Sequence, residues 1–194
     1  MKSYHYKVVL ILLYWLQGYV AIAQSHERNS LPRPGRQWYV SSAVGVQISG
    51  IKREDFIVTN LAPAITVSSV FWLNPSIGMG MTYKGPYFNY IGDDDRHSYS
   101  FIAAEGSLNV NEIVYKEKEM KNGWSCILHA GAGFFNNYYY GQSNLNMNGG
   151  IINAMKLTNR FDFFIDVSFV VGWDIYQGDE DILPSAVLGF NYLL

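Results

Sequence analysis

Leu188-Gly189-Phe190-Asn191-Tyr192-Leu193-Leu194 ends the chain, and it reads at period two. Leu188, Phe190, Tyr192 and Leu194 fall on one face of an extended strand, and Val187, Gly189, Asn191 and Leu193 fall on the other. One face is apolar; the other is small and partly polar. A terminal strand exposes an unpaired row of backbone groups, and pairing it with the first strand removes that edge. The expectation from this stretch is a sheet closed on itself.

The same alternation recurs upstream. In Trp38 to Gly50, Trp38, Val40, Val44, Val46 and Ile48 oppose Tyr39, Ser41, Ala43, Gly45, Gln47 and Ser49. Ala64 to Leu73 sets Ile65, Val67, Phe71 and Leu73 against Ala64, Thr66 and Ser68. Ile77 to Tyr87 sets Ile77, Met79, Met81 and Tyr83 against Gly78, Gly80, Thr82 and Lys84. Tyr99 to Val110, Trp124 to Asn136, Asn148 to Leu157 and Phe163 to Trp173 continue the series, with Asn153 blurring the register of the third of these. Leu183 to Leu194 closes it. The reading is all-β: a single eight-stranded antiparallel up-and-down transmembrane β-barrel. Its strands of roughly ten to thirteen residues compare with the ~9–11 that a tilted strand needs to cross the hydrocarbon.

The connections alternate in length. Asn74-Pro75-Ser76 and Thr158-Asn159-Arg160 read as short turns. Polar loops are expected at Lys52 to Asp55, Gly92 to His97, Asn137 to Asn146 and Gln177 to Asp181, with a longer charged connection from Asn111 to Gly123. An even strand number puts both barrel termini on one side, the periplasm in an outer membrane, and the longer loops outside, except the Asn111 to Gly123 connection, which falls on the periplasmic side and is long for a turn there.

Composition agrees. Charged residues make up 15% of the 194-residue chain and aromatics 16%, against ~25% charged for a soluble domain. Mean hydropathy is nonetheless zero, and alternation hides apolar strands from such an average. Met1 to Ala23 reads as a cleaved signal peptide, with Lys2 and Lys7 before the apolar Val8 to Leu16 run. Ala21 and Ala23 supply the small-x-small cleavage pattern, so the mature chain is expected to start at Gln24. Residues 24–36, with Pro32, Pro34 and Gly35, form a flexible lead, and 37–194 the barrel. Without Lys2 and Lys7 the chain keeps 12 basic and 16 acidic residues, which argues against nucleic acid as a partner. The single cysteine, Cys126, forms no internal disulfide.

Alternation alone also fits a soluble ligand-binding barrel with its apolar face inward. Three features favour the membrane form. The second face is rich in Gly, Ala and Ser, which suits a narrow polar lumen. Trp38, Phe71, Trp124, Phe163, Trp173 and Tyr192 lie near strand ends on the apolar face, where aromatic girdles belong. The terminal strand is the third.

Lys84, Glu105, His129 and Asp166 share the lumen face and form a candidate polar network. It reads either as a self-satisfying core or as a gate whose rearrangement opens a pore, and the core is favoured because an unpaired buried charge costs several kcal/mol. His129, Asp166 and Ser168 contain the residue types of a hydrolase triad but no nucleophile elbow, so no catalytic residue is assigned. Asp93-Asp94-Asp95 lacks the ligand spacing of a calcium loop and reads as a solvated tip; no metal or cofactor is expected. Tyr138 to Tyr140 reads equally as an adhesive surface or an outer aromatic belt.

Gly189-x-x-Tyr192-x-Leu194 resembles the closing signal of outer-membrane barrels, with Leu194 in place of the usual terminal Phe. Together with the export signal and eight alternating strands, the mature chain resembles the transmembrane domain of the OmpA family. The Ala23-Gln24 junction resembles those of Bacteroidota. The resemblance implies a structural, surface-interaction or narrow-channel role in a Gram-negative outer membrane, reached through the Sec pathway and the barrel-assembly machinery, with membrane lipid and lipopolysaccharide as neighbours. A weaker resemblance, through Leu31-Pro32, Ala104-Glu105-Gly106 and Ala130-Gly131-Ala132-Gly133, is to the TraO family of conjugative transposons. It implies a conjugation component in which the periplasmic turn 111–123, the lead or the loops dock a protein partner.

Overall fold

The computed structural model describes residues 37–49, 61–89, 96–115, 123–173 and 180–194. The expected signal peptide, its Ala21, Ala23 and Gln24, the lead, and the Asp93 to Asp95 run lie outside the described residues. Eight strands follow in order: β1 (Gln37–Ile48), β2 (Leu61–Trp72), β3 (Ile77–Asn89), β4 (Arg96–Asn109), β5 (Trp124–Asn137), β6 (Gln142–Lys156), β7 (Phe161–Trp173) and β8 (Glu180–Leu193). Each pairs antiparallel with the next, and β8 pairs with β1 from Tyr39↔Leu193 to Gln47↔Ser185, closing the barrel.

Period-two alternation becomes an outside and an inside. Val44, Met81, Phe134 and Met147 on the outer face are 60–65% exposed, while Ala43, Ala103, Thr82 and Asn148 on the inner face are buried. The apolar face points outward and the small, polar face lines the lumen, the inverse of a soluble barrel. One end, the turn end, carries the β2–β3 and β6–β7 turns. In each, a side chain shapes the reversal. Asn74 Oδ1 accepts from the amides of Ser76 at 2.8 Å and Ile77 at 2.9 Å, and Thr158 Oγ1 accepts from Phe161 at 3.0 Å. Of the expected girdle, Trp38, Phe71, Trp124, Phe163 and Tyr192 all sit at this end, with Trp38 on Phe71 and Tyr192 on Phe161 at 5.0 Å centroid distances.

Four local expectations are corrected. The start of the charged connection is a short helix, α1 (Val110–Tyr115). Asn111 Oδ1 ties it to β5 by accepting from the Cys126 amide at 2.9 Å. Six residues are too few for a 3.6-residue period to declare itself. The Asn137 to Asn146 loop shrinks to a turn at 138–141, because β6 begins at Gln142. Its Gln, Ser and Asn residues read as loop, yet Asn146 points into the lumen and is buried. His97 belongs to β4 and is fully buried rather than in a polar loop. Glu180 and Asp181 begin β8 instead of ending a loop.

Candidate functional site

The centre of the lumen is a belt of hydrogen-bonded polar side chains from six consecutive strands. Lys84 on β3 reaches across the barrel and donates to Ser168 Oγ on β7 at 2.7 Å. Ser168 Oγ donates to Asp166 Oδ2 at 3.0 Å, and Ser185 on β8 lies 3.1 Å from the same hydroxyl. His129 Nε2 on β5 is 3.1 Å from Asp166 Oδ1, and Nδ1 is 3.5 Å from Glu105 Oε2. Thr82 donates to Glu105 Oε2 at 2.8 Å, and the Asn148 amide donates to Glu105 Oε1. Nε2 is within hydrogen-bond distance of Asp166, whereas Nδ1 faces Glu105 at ion-pair range without a hydrogen bond. All four residues expected in the lumen network are therefore brought together in one linked cluster.

Two inward glycines make the crossings possible. Gly150 on β6 is in register with His129 on one side and Ser168 on the other. A Cβ there would sit 2.5 Å from both His129 Nε2 and Ser168 Cβ. The missing side chain is the saddle over which His129 reaches Asp166 from two strands away. Gly131 does the same for Glu105: it is in register with Glu105 and with Asn148, and its Cβ would meet Glu105 Cγ at 2.7 Å.

Above the belt, at the loop end, the lumen is filled by apolar side chains, of which only Ala103 was expected on the inner face. Phe88, Tyr99, Phe101, Ala103, Phe135, Val170 and Leu183 form one buried cluster. Tyr99 stacks on Phe135 at 4.7 Å, and Phe88 meets Tyr99 edge-on at 5.6 Å. The Tyr99 hydroxyl donates to Gln47 Oε1 at 2.6 Å, and Gln47 donates to the Tyr87 carbonyl, sealing the β1 side. The signal was present: carrying the Ala103–Glu105 register back along β4 places Tyr99 and Phe101 inside. Below the belt, a cavity of about 90 Å³ opens toward the turn end, lined by Gln37, Tyr39, Asn109, Asp162 and Asn191 near its mouth. The lumen is thus a polar vestibule with a charged floor and an aromatic plug behind it.

The Tyr138 to Tyr140 cluster divides. Tyr138 follows the outer-face register, and its hydroxyl is 2.7 Å from Ser100 Oγ. Tyr139 turns over the barrel mouth and stacks on His97 at 4.0 Å and 12°. Asn137 Oδ1 accepts from the Tyr139 amide at 3.0 Å, and Gly141 takes a positive φ of 64°, which a side chain would disfavour. Of the residues of the closing signal, Gly189 faces inward under Phe164, Tyr192 packs outside on Phe161, and Leu194 donates its amide to the Trp38 carbonyl at 3.0 Å.

The triad residue types do meet, in the wrong order for acyl transfer. A hydrolase needs histidine between serine and aspartate. Here aspartate stands between them: the Ser168 hydroxyl donates to Asp166, and the His129 nitrogens face carboxylates.

No protein-family model matches the sequence, and no curated protein matches it. Solved structures do. Neisserial surface protein A superposes with a TM-score of 0.57 at 9% identity, over 82% of this chain and 99% of that one. The fold is that of the small outer-membrane β-barrels. OprG, an outer-membrane protein of Pseudomonas aeruginosa, gives 0.52 at 9% identity over 84% and 97% of the two chains. Ail, the attachment invasion locus protein of Yersinia pestis solved with the heparin analogue sucrose octasulfate, gives 0.50 at 14% identity over 83% and 100%. At such identities the shared feature is the barrel itself.

Proposed function

We propose that this chain is an integral outer-membrane barrel of a Gram-negative bacterium, exported by a cleaved signal over Met1 to Ala23. It acts through its loop-end surface, and it neither conducts solute nor catalyses a reaction. The observation that carries the reading is the lumen, where a linked polar belt is backed by a buried aromatic plug. In this orientation the turn end faces the periplasm and the loop end the outside. The continuous outward apolar band supports a lipid solvent, since water rarely tolerates an exposed apolar patch of such extent. The conjugation alternative gains no support from the comparisons.

Two measurements test this. Val44 lies mid-strand on β1 and is 65% exposed. Val44→Arg is expected to cost ~2–4 kcal/mol if it faces acyl chains near the bilayer centre, but no more than about 0.5 kcal/mol if it faces water. Urea unfolding in phosphatidylcholine vesicles reads the difference, and a neutral substitution would refute the membrane assignment. In planar bilayers the wild-type protein is expected to give no stable conductance. Glu105→Ala is expected to stay closed too, because the plug lies beyond the belt. Discrete openings in either would overturn the sealed lumen.

A further inference from the structure

We infer that the β5–β6 hairpin tip is a docking platform for a neutral saccharide, with Tyr139 stacking on a sugar ring and hairpin amides meeting its hydroxyls. This rests on the reading that the loop end is the working surface.

Three observations carry it. The first is rigidity. Tyr139 is 57% exposed although it stacks on buried His97, which in turn contacts Phe88 at 5.4 Å. Its backbone is held by Asn137, so a guest meets a ring already in place. Tyrosine gives much rigid contact area for little lost conformational freedom.

The second is chemistry. Asn136-Asn137-Tyr138-Tyr139-Tyr140-Gly141-Gln142-Ser143-Asn144 contains no charged and no aliphatic side chain. Gln142 pairs in register with Asn137, so it shares the mouth side with Tyr139, and it is exposed. An aromatic face carries negative charge density that attracts the polarised C–H bonds of a pyranose. An amide both donates and accepts, as a hydroxyl does. The hairpin lacks the Lys or Arg that would grip a sulfated or phosphorylated sugar.

The third is size. Tyr138 belongs to the outer wall, which leaves Tyr139 and Tyr140 over the mouth. Within the described hairpin, two rings that bury ~150–250 Å² each fall short of the ~800 Å² per partner of a standard protein interface. They match the face of a saccharide unit or two.

The test is calorimetric titration of the detergent-folded, full mature chain with maltoheptaose, cellohexaose and a linear mannan fragment, with dextran sulfate as the charged comparison. Binding of at least one neutral probe is expected. Tyr139→Ala should weaken it about tenfold, the scale of an aromatic contact. Tyr139→Phe should stay within about twofold, since the ring face carries the contact. Tyr138→Ala should leave it unchanged. A cold-versus-boiled gel shift verifies that each variant is folded. Binding of no neutral probe by the folded wild-type chain, binding of dextran sulfate alone, or equal losses for Tyr139→Ala and Tyr139→Phe would each overturn the inference. A sealed lumen without saccharide binding defeats this inference and leaves the proposed function standing; conductance together with saccharide binding does the reverse.

Discussion

Gly150→Leu is expected to abolish the compact, heat-modifiable barrel. Strand β6 runs between the strands bearing His129 and Ser168, and Gly150 is in register with both. Its missing Cβ would sit 2.5 Å from His129 Nε2, 2.5 Å from Ser168 Cβ and 2.7 Å from the Val167 carbonyl oxygen. Two of those three atoms are backbone or one bond from it, so they cannot swing aside. The imidazole is the group that must leave, and Asp166 and Glu105 then stay buried without it. Breaking a buried ionic cluster by removing one partner costs ~3–5 kcal/mol, a large share of the ~5–15 kcal/mol that holds a typical fold together. Gly149 provides the internal comparison. It faces the opposite way, and its nearest neighbour is the end of the Phe169 ring at 3.3 Å, on the outer face. Gly149→Leu is therefore expected to keep the gel shift and a near-normal urea midpoint, and Gly150→Ala to fall between. Equal behaviour of the two leucine variants would show that the saddle is unimportant.

The sequence made the barrel legible because its organising feature is a period, and a period survives averaging over many strands. Eight strands, their faces and the shared inner position of Lys84, Glu105, His129 and Asp166 could be read from alternation alone. The contacts could not. His129 and Asp166 are 37 residues apart with a whole strand between them, and what joins them is the absence of a side chain at Gly150. Strand spacing across a lumen also escapes a linear reading, as with Lys84 meeting Ser168 from the far wall. Other misses share one cause: local composition overrode the period. Gln142 to Asn146 read as loop because Asn and Ser favour turns, although amide-rich inner faces are what a narrow polar lumen needs. Tyr99, Phe101 and Phe135 were on the inner register throughout, yet aromatic residues in a membrane strand invite assignment to the lipid face. The plug goes against that habit, and it fills the loop-end half of the lumen with apolar side chains.

Lys84 should carry the second large effect. Its ammonium is 4% exposed with its residue, and it is the donor that reaches from β3 to the β7 hydroxyl. Around it stand two carboxylates, Glu105 and Asp166, that share the His129 ring. Lys84→Met keeps the length and apolar stem of the side chain and removes only the charge and its hydrogen bonds. The expected cost is ~3–5 kcal/mol, because the carboxylates are left buried with their cation gone. If excess negative charge is the cause, neutralising one carboxylate must give part of that back. Glu105→Gln keeps an oxygen for Thr82 or Asn148 while dropping the charge. In the Lys84→Met background it is expected to recover about 1–3 kcal/mol, the range of coupling between residues in one network. On its own, in the wild-type background, it should destabilise. That opposite sign distinguishes electrostatic coupling from loss of packing, which would make the two costs add. Urea unfolding of the four proteins in vesicles, followed by tryptophan fluorescence, completes the cycle; simple additivity would show that the belt is a set of separate hydrogen bonds instead of one charge-coupled unit.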